Sequence, residues 1–289
     1  MTASPARTVA EAIRAATETL GPHTDIARLD AELLMAHALG ASRSELFLGR
    51  MGDPAPAAFA ALVARRAAHE PVAYIRGYQE FFGIDFRVTP AVLIPRGDSE
   101  VLVEQALTAR PDARRVLDCG TGSGALLLAV LDELTEASGV GIDRSPDALA
   151  IARDNAVRLG LADRAELQLA DWTRSDWAAG IGRFDLILAN PPYVEFDADL
   201  APDVRNYEPA EALFAGADGL DDYRVLVPQL PALLTPHGVA LVEIGASQAE
   251  AVVEIGADAG LKSSIHRDLG ERNRVIAFKF PLGKGFASA

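Results

Sequence analysis

The first part of the chain has the hydrophobic spacing of short helices. From Val9 to Ala68, apolar residues recur three and four positions apart, and alanine, which favours helices, fills much of the sequence between them. One such apolar face contains Leu29, Leu33, Leu34 and Ala38. Turns that contain glycine and proline interrupt the pattern. We therefore predict three to five short helices in this region.

A different pattern covers the residues from Pro71 to Ile94. Its apolar residues are mostly aromatic or β-branched, which favours strands, and Gly77 and Gly83 indicate turns between them. This composition predicts a β-hairpin that links two domains, and we place the linker at residues 77–95.

Beyond Pro95, segments with strand and helix patterns alternate along the chain. Such alternation is typical of a parallel sheet covered by helices. The candidate strands are Arg115–Cys119, Val140–Asp143, Ala165–Leu169, Phe184–Ala189, Val239–Ile244, Ser264–His266 and Val275–Phe280. The candidate helices are Asp98–Ala109, Gly124–Glu136, Pro146–Leu159, Asp222–Leu234 and Ser247–Ala259. No helix fits between the last two strands, so we expect the final strand to run antiparallel.

These patterns together predict the fold class and the domain boundaries. We expect an α/β protein with a seven-stranded, mostly parallel sheet, preceded by a small all-helical domain and the β-hairpin. The predicted boundaries are residues 1–76 for the helical domain, 77–95 for the hairpin and 96–289 for the α/β domain.

The chain is acidic, and its charge is unevenly distributed. Lys and Arg total 27 and Asp and Glu total 41, which gives a net charge of −14 at pH 7. Residues 1–80 contain nine acids and eight bases, so nearly all of the excess lies in residues 81–289. Because nucleic-acid affinity depends on Lys and Arg contacts to phosphate, we expect no direct nucleic-acid binding.

Apolar runs and metal-binding residue types restrict the setting further. The longest apolar run, Ala125–Leu131, has seven residues, whereas a membrane helix needs roughly 20. The single cysteine, Cys119, excludes an internal disulfide and a cysteine-rich zinc site, and the five histidines lack metal-ligand spacing. We expect a cytoplasmic monomer without a metal ion or a membrane partner.

A glycine-rich loop follows the first strand of the predicted sheet. Gly120, Gly122 and Gly124 separate that strand from a helix, so a ligand can approach the backbone and the unpaired N–H groups of the helix N-terminus. Asp143 ends the next strand, where a carboxylate can accept both hydroxyl groups of a ribose. This pattern indicates a nucleoside cofactor but not which one, because Gly120, Gly122 and Ala125 also satisfy the dinucleotide fingerprint of NAD-binding proteins.

A second pair of residues suits an adenine ring. Asp171 and Trp172 follow the third strand, and the carboxyl ends of parallel strands form one edge of the sheet, where ligands bind. A carboxylate and an indole at this edge can hydrogen-bond and flank a purine.

The fourth strand ends in Asn190-Pro191-Pro192-Tyr193. The two prolines lack N–H donors and stiffen the turn, so the side-chain oxygen of Asn190 and the carbonyl of Pro191 become fixed acceptors. An –NH2 group on an sp2 carbon would donate one hydrogen to each acceptor, and Tyr193 could cover the planar group. Holding both hydrogens orients a poorly nucleophilic nitrogen toward an electrophile and favours a transition state in which it becomes positive.

In this order along the chain, these motifs resemble a known family. Asp118–Gly124, Asp143, Asp171-Trp172 and Asn190–Tyr193 are similar to the motifs of S-adenosylmethionine-dependent amino methyltransferases. More narrowly, the chain resembles the peptide chain release factor N(5)-glutamine methyltransferases of the HemK/PrmC type. The likeness extends over nearly the whole chain and includes Asp30–Leu34, Pro71–Gly77, Glu80–Gly83, Leu93–Glu100, Tyr207–Pro209, Gly216–Leu220, Glu243–Gly245 and Gln248.

The resemblance implies a cofactor and a role for each motif. The cofactor is S-adenosyl-L-methionine, with S-adenosyl-L-homocysteine as product. Its methionine part would lie along Gly120, Thr121, Gly122, Ser123 and Gly124, its ribose on Asp143, and its adenine by Asp171 and Trp172. Asn190 would contact both the cofactor's methyl edge and the substrate amide, Asn190, Pro191, Pro192 and Tyr193 would bind the substrate glutamine, and Asn190, Pro191 and Tyr193 would be catalytic.

The resemblance also implies the substrate. The methyl group would go to the side-chain amide of the glutamine in the Gly-Gly-Gln motif of class-1 release factors, and the helical domain would help to bind this large protein. Three alternatives stay open: a glutamine methyltransferase for a ribosomal protein, an adenine-N6 methyltransferase for nucleic acid, and a binding module without activity. Glu208 and Glu243 either shape the pocket or are solvated or capping residues.

Overall fold

The computed structural model describes residues 7–281, which divide into two compact units. One unit contains the chain up to Tyr78 together with Leu200–Tyr207. The other contains Gln79–Asp199 and the chain from Glu208 onward. A short segment from the second half of the sequence thus belongs to the first unit, which the sequence pattern did not predict.

Twelve α-helices and nine β-strands lie within residues 7–281. The helices are α1 (Val9–Leu20), α2 (Ala27–Leu39), α3 (Arg43–Glu45), α4 (Phe59–Ala67), α5 (Val72–Arg76), α6 (Glu100–Ala109), α7 (Ala125–Glu133), α8 (Pro146–Arg158), α9 (Pro202–Tyr207), α10 (Asp221–Leu226), α11 (Leu230–Leu233) and α12 (Ala249–Asp258). The strands are β1 (Tyr78–Phe81), β2 (Ile84–Arg87), β3 (Arg115–Cys119), β4 (Ser138–Asp143), β5 (Ala165–Leu169), β6 (Phe184–Ala189), β7 (Leu234–Glu243), β8 (Lys262–Arg267) and β9 (Asn273–Lys279). None of the helices in this part of the chain has both the length and the hydropathy of a membrane span.

The helical unit confirms the predicted short helices, and the predicted apolar face of α2 is confirmed at Leu34 and Ala38, which belong to or pack against the core cluster, but not at Leu29. Leu29 is exposed, whereas Asp30 is buried and accepts a hydrogen bond of 2.7 Å from Nε of the buried Arg66. The apolar residues that α2 does bury include Ala31 and Leu34. A carboxylate can occupy an interior position when a guanidinium pairs with it, and hydrophobic spacing does not detect such a pair.

The predicted hairpin is shorter than the segment that suggested it. Only β1 and β2 pair, across a turn in which Phe82 and Gly83 both have positive φ angles, 53° and 76°. The prediction of a turn at Gly83 is confirmed. A turn also lies at Gly77, but it separates helix α5 from β1 rather than two strands, because Gly77 ends α5 in the left-handed conformation after Pro71 has begun it. Aromatic and β-branched composition alone therefore did not separate this helix from the strands.

The large sheet has the predicted character. Its seven strands lie in the order β5-β4-β3-β6-β7-β9-β8. The first five in this order pair in parallel, and β9 runs antiparallel to both β7 and β8, which confirms the expected reversal of the final strand. The first strand of this sheet along the chain is β3, in its middle. Strands β4 and β5 then extend the sheet on one side, and β6 to β9 extend it on the other.

Buried residues cover both faces of this sheet. On one face, Val116 and Leu188 pack in a cluster with residues of α6 and α7. On the other, Leu117 and Ile187 pack in a cluster with residues of α10, α11 and α12. Neighbouring residues of a strand thus point to opposite helical layers, as a sheet buried on both faces requires.

One predicted helix is divided in the structure, and the start of another is confirmed. The helix predicted over Asp222–Leu234 is divided into α10, a 3-10 turn and α11, because Pro228 and Pro231 lack the N–H groups that a continuous helix needs. The predicted start of α8 is confirmed, since the Ser145 hydroxyl caps it by accepting a hydrogen bond of 3.2 Å from the N–H of Ala148.

Candidate active site

Two motifs meet at the switch point of the sheet, between β3 and β6, where the order of the strands reverses. Strands β3 and β6 are neighbours, and Cys119, the last residue of β3, pairs with Ala189, the last residue of β6. Gly120 and Asn190 are the next residues, so the glycine loop and the Asn-Pro-Pro-Tyr turn begin side by side. The carboxyl ends of strands at such a switch point form the crevice where ligands of open α/β sheets bind.

A cavity of about 910 Å³, open to solvent, lies at this edge of the sheet. Eight of the predicted site residues line it, namely Gly120, Thr121, Gly122, Ser123, Asp143, Trp172, Asn190 and Pro192. The other four, Gly124, Asp171, Pro191 and Tyr193, do not belong to its lining. Most of the predicted residues are therefore brought together around one cavity.

Asp143 is held in place by backbone N–H groups. Its Oδ2 accepts a hydrogen bond of 2.9 Å from Gly122, and its Oδ1 accepts one of 2.9 Å from Ser145. Burial raises the pKa of Asp143, while these hydrogen bonds lower it. Each carboxylate oxygen has a second lone pair, so the carboxylate is oriented in advance and can still accept hydroxyl groups from the cavity.

The Trp172 ring packs against the start of the glycine loop. A Cβ atom at Gly120, whose φ angle is +77°, would lie 3.0 Å from Cη2 of this ring. The indole Nε1–H donates a hydrogen bond of 2.9 Å to Oδ1 of Asp222, at the start of α10. Asp222 was not predicted as a site residue, because it lies 50 positions from Trp172 and no local motif marks it.

Asp171 is engaged within its own turn. Its Oδ1 accepts hydrogen bonds from the N–H of Thr173, at 2.9 Å, and from the Thr173 hydroxyl, at 2.7 Å. Together with its absence from the cavity lining, this arrangement assigns Asp171 to shaping the turn that carries Trp172. Contact between Asp171 and an adenine stays a prediction.

The acceptors of the Asn-Pro-Pro-Tyr turn are left free. Within residues 7–281, neither the side chain of Asn190 nor the carbonyl oxygen of Pro191 accepts or donates a hydrogen bond. Asn190 lines the cavity, and Pro191 and Pro192 are buried. The Asn190 side chain thus presents an unpaired acceptor to the cavity, and the carbonyl of the next residue, Pro191, is a second one, so this turn is suited to bind a group with two hydrogens to donate.

Tyr193 is fixed at both its backbone and its hydroxyl. Its N–H donates to the carbonyl of Leu213 at 3.2 Å, and its own carbonyl accepts from Nε2 of Gln248 at 3.0 Å. The phenol hydroxyl donates to Oε1 of Glu243 at 3.4 Å. Burial and the nearby Glu243 raise the pKa of Tyr193 to about 12, so the phenol stays protonated at neutral pH.

Glu208 and Glu243 are both buried, so neither is a solvated surface residue. Glu208 accepts a hydrogen bond of 3.1 Å from the N–H of Ile94 and pairs with the guanidinium of Arg96, which lines the cavity. Glu208 therefore shapes the cavity wall by fixing the segment that follows the hairpin. Burial raises the pKa of Glu243 to about 7.

Sequence reasoning missed several cavity residues that precede α6. Leu93, Pro95, Arg96 and Ser99 line the cavity, as does Arg144 after β4. The residues from Leu93 to Ser99 belong to a segment that resembles the family, but their position on the cavity follows only from the packing of the hairpin region against the sheet. Among the residues described, no three of His, Cys, Asp and Glu come together as a metal site would require.

Comparisons with known proteins agree on the kind of protein this chain resembles. Residues 11–77 match the family described as PrmC N-terminal domain, and residues 111–259 match a methyltransferase domain family. A release factor glutamine methyltransferase of Cereibacter sphaeroides is 45% identical over 280 residues, covering 94% of this chain and 98% of the relative. The protein of the same name from Geobacter sulfurreducens is 48% identical, covering 78% of this chain and 80% of the relative. The protein of the same name from Rhodospirillum rubrum is 43% identical, covering 86% of this chain and 78% of the relative.

Proposed function

The chain belongs to the family of release factor glutamine methyltransferases, and on this premise we propose that it methylates the side-chain amide of glutamine in the Gly-Gly-Gln motif of class-1 release factors. The methyl donor is S-adenosyl-L-methionine, and the products are the N(5)-methylated glutamine and S-adenosyl-L-homocysteine. The reaction belongs in the cytoplasm, where release factors end translation.

One observation supports this proposal above the others. The side chain of Asn190 and the carbonyl of Pro191, both free of hydrogen bonds within the described chain, follow a strand whose neighbour leads into the glycine loop. A primary amide has two N–H hydrogens to donate, and the turn offers two acceptors beside the crevice that suits a nucleoside cofactor.

The residues around the cavity fit the cofactor. The carboxylate of Asp143 has free lone pairs for a ribose, and the Trp172 ring offers a face for an adenine. At Gly120, a side chain would fill the space between the loop and this ring. When bound, S-adenosyl-L-methionine supplies an electrophilic methyl group on a positively charged sulfur.

The chain's own residues orient the nucleophile. Asn190 Oδ1 and the Pro191 carbonyl accept the two amide hydrogens and so direct the nitrogen lone pair toward the methyl group. The same acceptors stabilise the nitrogen as it becomes positive in the transition state. After transfer, the positively charged nitrogen releases one proton to water, since the cavity is open to solvent, and becomes a neutral secondary amide.

Charge around the turn suits a protein with a basic or neutral docking face. Residues 194–222 contain nine acids and a single arginine, and Glu195, Asp197 and Asp199 are exposed just after Tyr193. Such a surface repels phosphate, which supports a protein substrate rather than a nucleic acid. We propose that the enzyme acts as a monomer and that residues 1–76 form a domain that helps to bind the release factor.

Transfer of radiolabel from the cofactor tests the proposed function. The purified enzyme is incubated separately with a class-1 release factor, with the same factor carrying Ala in place of its motif Gln, with a ribosomal protein extract and with duplex DNA. We expect label on the unmodified factor alone. Label that persists after the Gln replacement, or that appears on ribosomal protein or DNA, would contradict the proposal.

A further inference from the structure

Buried polar atoms without partners gather around Glu243. In the part of the chain that the structure describes, five buried side-chain atoms have no hydrogen-bond partner, and three of them are Ser99 Oγ, Glu243 Oε2 and Arg274 Nε. The Ser99 hydroxyl and the positive charge of Arg274 both lower the pKa of Glu243, so the three side chains lie together. Each unsatisfied buried group costs free energy, and such a cluster calls for a functional reason.

Glu243 lies directly beside the catalytic turn. Glu243 is the last residue of β7. The residue before it, Val242, pairs with Ala189 at the end of β6. Asn190 and Glu243 therefore follow paired residues on neighbouring strands. Oε1 of Glu243 accepts the hydrogen bond of 3.4 Å from the Tyr193 hydroxyl, while Oε2 is free.

Ser99 is the second donor available to this carboxyl group. It lines the cavity, but its Oγ is buried and makes no hydrogen bond of ordinary geometry within residues 7–281. A hydroxyl hydrogen rotates to suit its acceptor, so Ser99 can donate to a carboxylate oxygen of Glu243. The carboxylate then has one donor from the Asn-Pro-Pro-Tyr turn and one from the segment that begins α6.

The charges facing Glu243 leave it free to titrate. Arg274 on β9 faces it, but one guanidinium nitrogen of Arg274 donates to Asp98 at 3.0 Å and to Asp268 at 3.2 Å, which offsets its positive charge. Asp98 also acts on Glu243 directly and raises its pKa. Tyr223, whose hydroxyl donates to the main-chain carbonyl of Glu243 at 2.9 Å, stays neutral, as does Tyr193. Burial thus outweighs the attraction of Arg274 and raises the pKa of Glu243 to about 7.

We propose that Glu243 is a positioning residue for methyl transfer, whose carboxylate accepts hydrogen bonds from Tyr193 and Ser99 and so ties the Asn-Pro-Pro-Tyr turn to the cavity wall at α6. This inference rests on the proposed function, because it assigns a task to a residue of the same site. Protonation leaves only one good acceptor oxygen and releases one of the two donors, so the turn is held less firmly below the pKa of Glu243.

The consequence is a rate that depends on the ionisation of Glu243. The carboxylate forms as pH rises through about 7, so the single-turnover rate at saturating cofactor rises over this range. With a neutral form that is inactive, we expect a rate about tenfold higher at pH 8 than at pH 6. The affinity for the cofactor stays within about threefold, because Asp143 and Trp172, not Glu243, line the cofactor cavity.

The Glu243→Gln variant tests whether the rate depends on the ionisation of Glu243. Gln keeps the size of the side chain but cannot ionise, so the variant should lose well over tenfold in rate at pH 8 and show no slope between pH 6 and 8. Ser99→Ala removes one donor and should lower the rate at pH 8 by about threefold while keeping the slope. The matched control is Glu254→Gln, an exposed Glu on α12, which should behave as the wild type.

A second measurement reports on Tyr193 without any activity. In protein labelled with 13C on the tyrosine rings, the Tyr193 resonance should shift with a midpoint near pH 7 in the wild type and should not titrate in Glu243→Gln. A Tyr193 resonance that does not titrate in the wild type would refute the proposal. So would a slope of rate against pH that persists in Glu243→Gln.

The two proposals fail in different ways. If the wild type transfers no methyl group to a release factor at any pH, the proposed function is wrong, and the tyrosine resonance still decides whether Glu243 holds Tyr193. If transfer is normal but Glu243→Gln matches the wild type in rate and slope, only the role of Glu243 is wrong.

Discussion

The two halves of the candidate active site differ in how their polar groups are satisfied. On the glycine-loop side, Asp143 accepts two backbone hydrogen bonds, and the indole N–H of Trp172 is paired with Asp222. On the side of the Asn-Pro-Pro-Tyr turn, the side chain of Asn190 has no hydrogen-bond partner in the described chain, and one oxygen of Glu243 is buried without one.

This difference matches two different tasks. Groups that bind a cofactor are best held in one orientation before the ligand arrives, because binding then costs less conformational entropy. Groups that act on the reacting atoms must keep unused acceptors for the transition state. Substitutions in the two halves should therefore have separable effects on binding and rate, although Oδ1 of the buried Asp118, just before the glycine loop, also lacks a hydrogen-bond partner in the described chain.

The largest expected effect is on rate, from Asn190→Ala. Removing one of the two acceptors for the amide should lower kcat by about 10²- to 10³-fold, while cofactor affinity, measured by calorimetry with S-adenosyl-L-homocysteine, changes by less than about threefold. Asn206→Ala, at an exposed asparagine of α9, is the control. A normal rate in Asn190→Ala would mean that the free acceptors do not serve the reaction.

The next effect is on stability, from Glu243→Gln. The pKa of Glu243 rises from 4.5 to about 7 on folding, so the folded chain binds this proton more tightly than the unfolded chain does. The free energy of unfolding therefore falls as pH rises from about 4.5 to about 7, by roughly 3 kcal/mol in total.

Gln cannot ionise, so the stability gained by Glu243→Gln over the wild type should grow by roughly 2 kcal/mol or more between pH 5 and pH 8. Urea unfolding at the two pH values measures this change, with Glu254→Gln as the control. Equal differences at both pH values would show that the buried carboxyl group does not destabilise the fold.

On the glycine-loop side, Gly120→Ala should have a smaller effect, on the affinity for the cofactor product. The new Cβ would lie 3.0 Å from the Trp172 ring, at a φ angle of +77° that disfavours alanine. We expect affinity for S-adenosyl-L-homocysteine to fall by about tenfold or more. Gly160→Ala separates strain from the clash, because Gly160 has a φ angle of +70° but open space around it. Equal affinities in the two variants would contradict a role for the contact with Trp172.

The smallest effect comes from the hydrogen bond that orients Trp172. Asp222→Ala leaves the indole N–H without its acceptor and should weaken S-adenosyl-L-homocysteine binding by about fivefold, the worth of one hydrogen bond. Asp222→Asn keeps an acceptor oxygen and should bind as the wild type does. If both variants bind normally, orientation of the indole does not depend on Asp222.

Local signals predicted most of the fold and the two central motifs. The ends of β3 and β6 and the cap at Ser145 depend on short runs of sequence, and they were predicted as observed. The helix predicted across Pro228 and Pro231 was wrong because the hydrophobic spacing there is helical but neither proline has the N–H that a continuous helix needs.

The sequence by itself determined which motifs lie at the carboxyl ends of the strands, because the positions and parallel direction of the strands follow from hydrophobic pattern and connection length. Only the tertiary structure decided the environment of the acids. Asp30, Glu208 and Glu243 could each have been solvated, but neighbouring elements bury them beside Arg66, Arg96 and Arg274. The physical reason is that the pKa and the hydrogen bonds of a carboxyl group depend on atoms that are distant in the chain and become neighbours only when the protein folds.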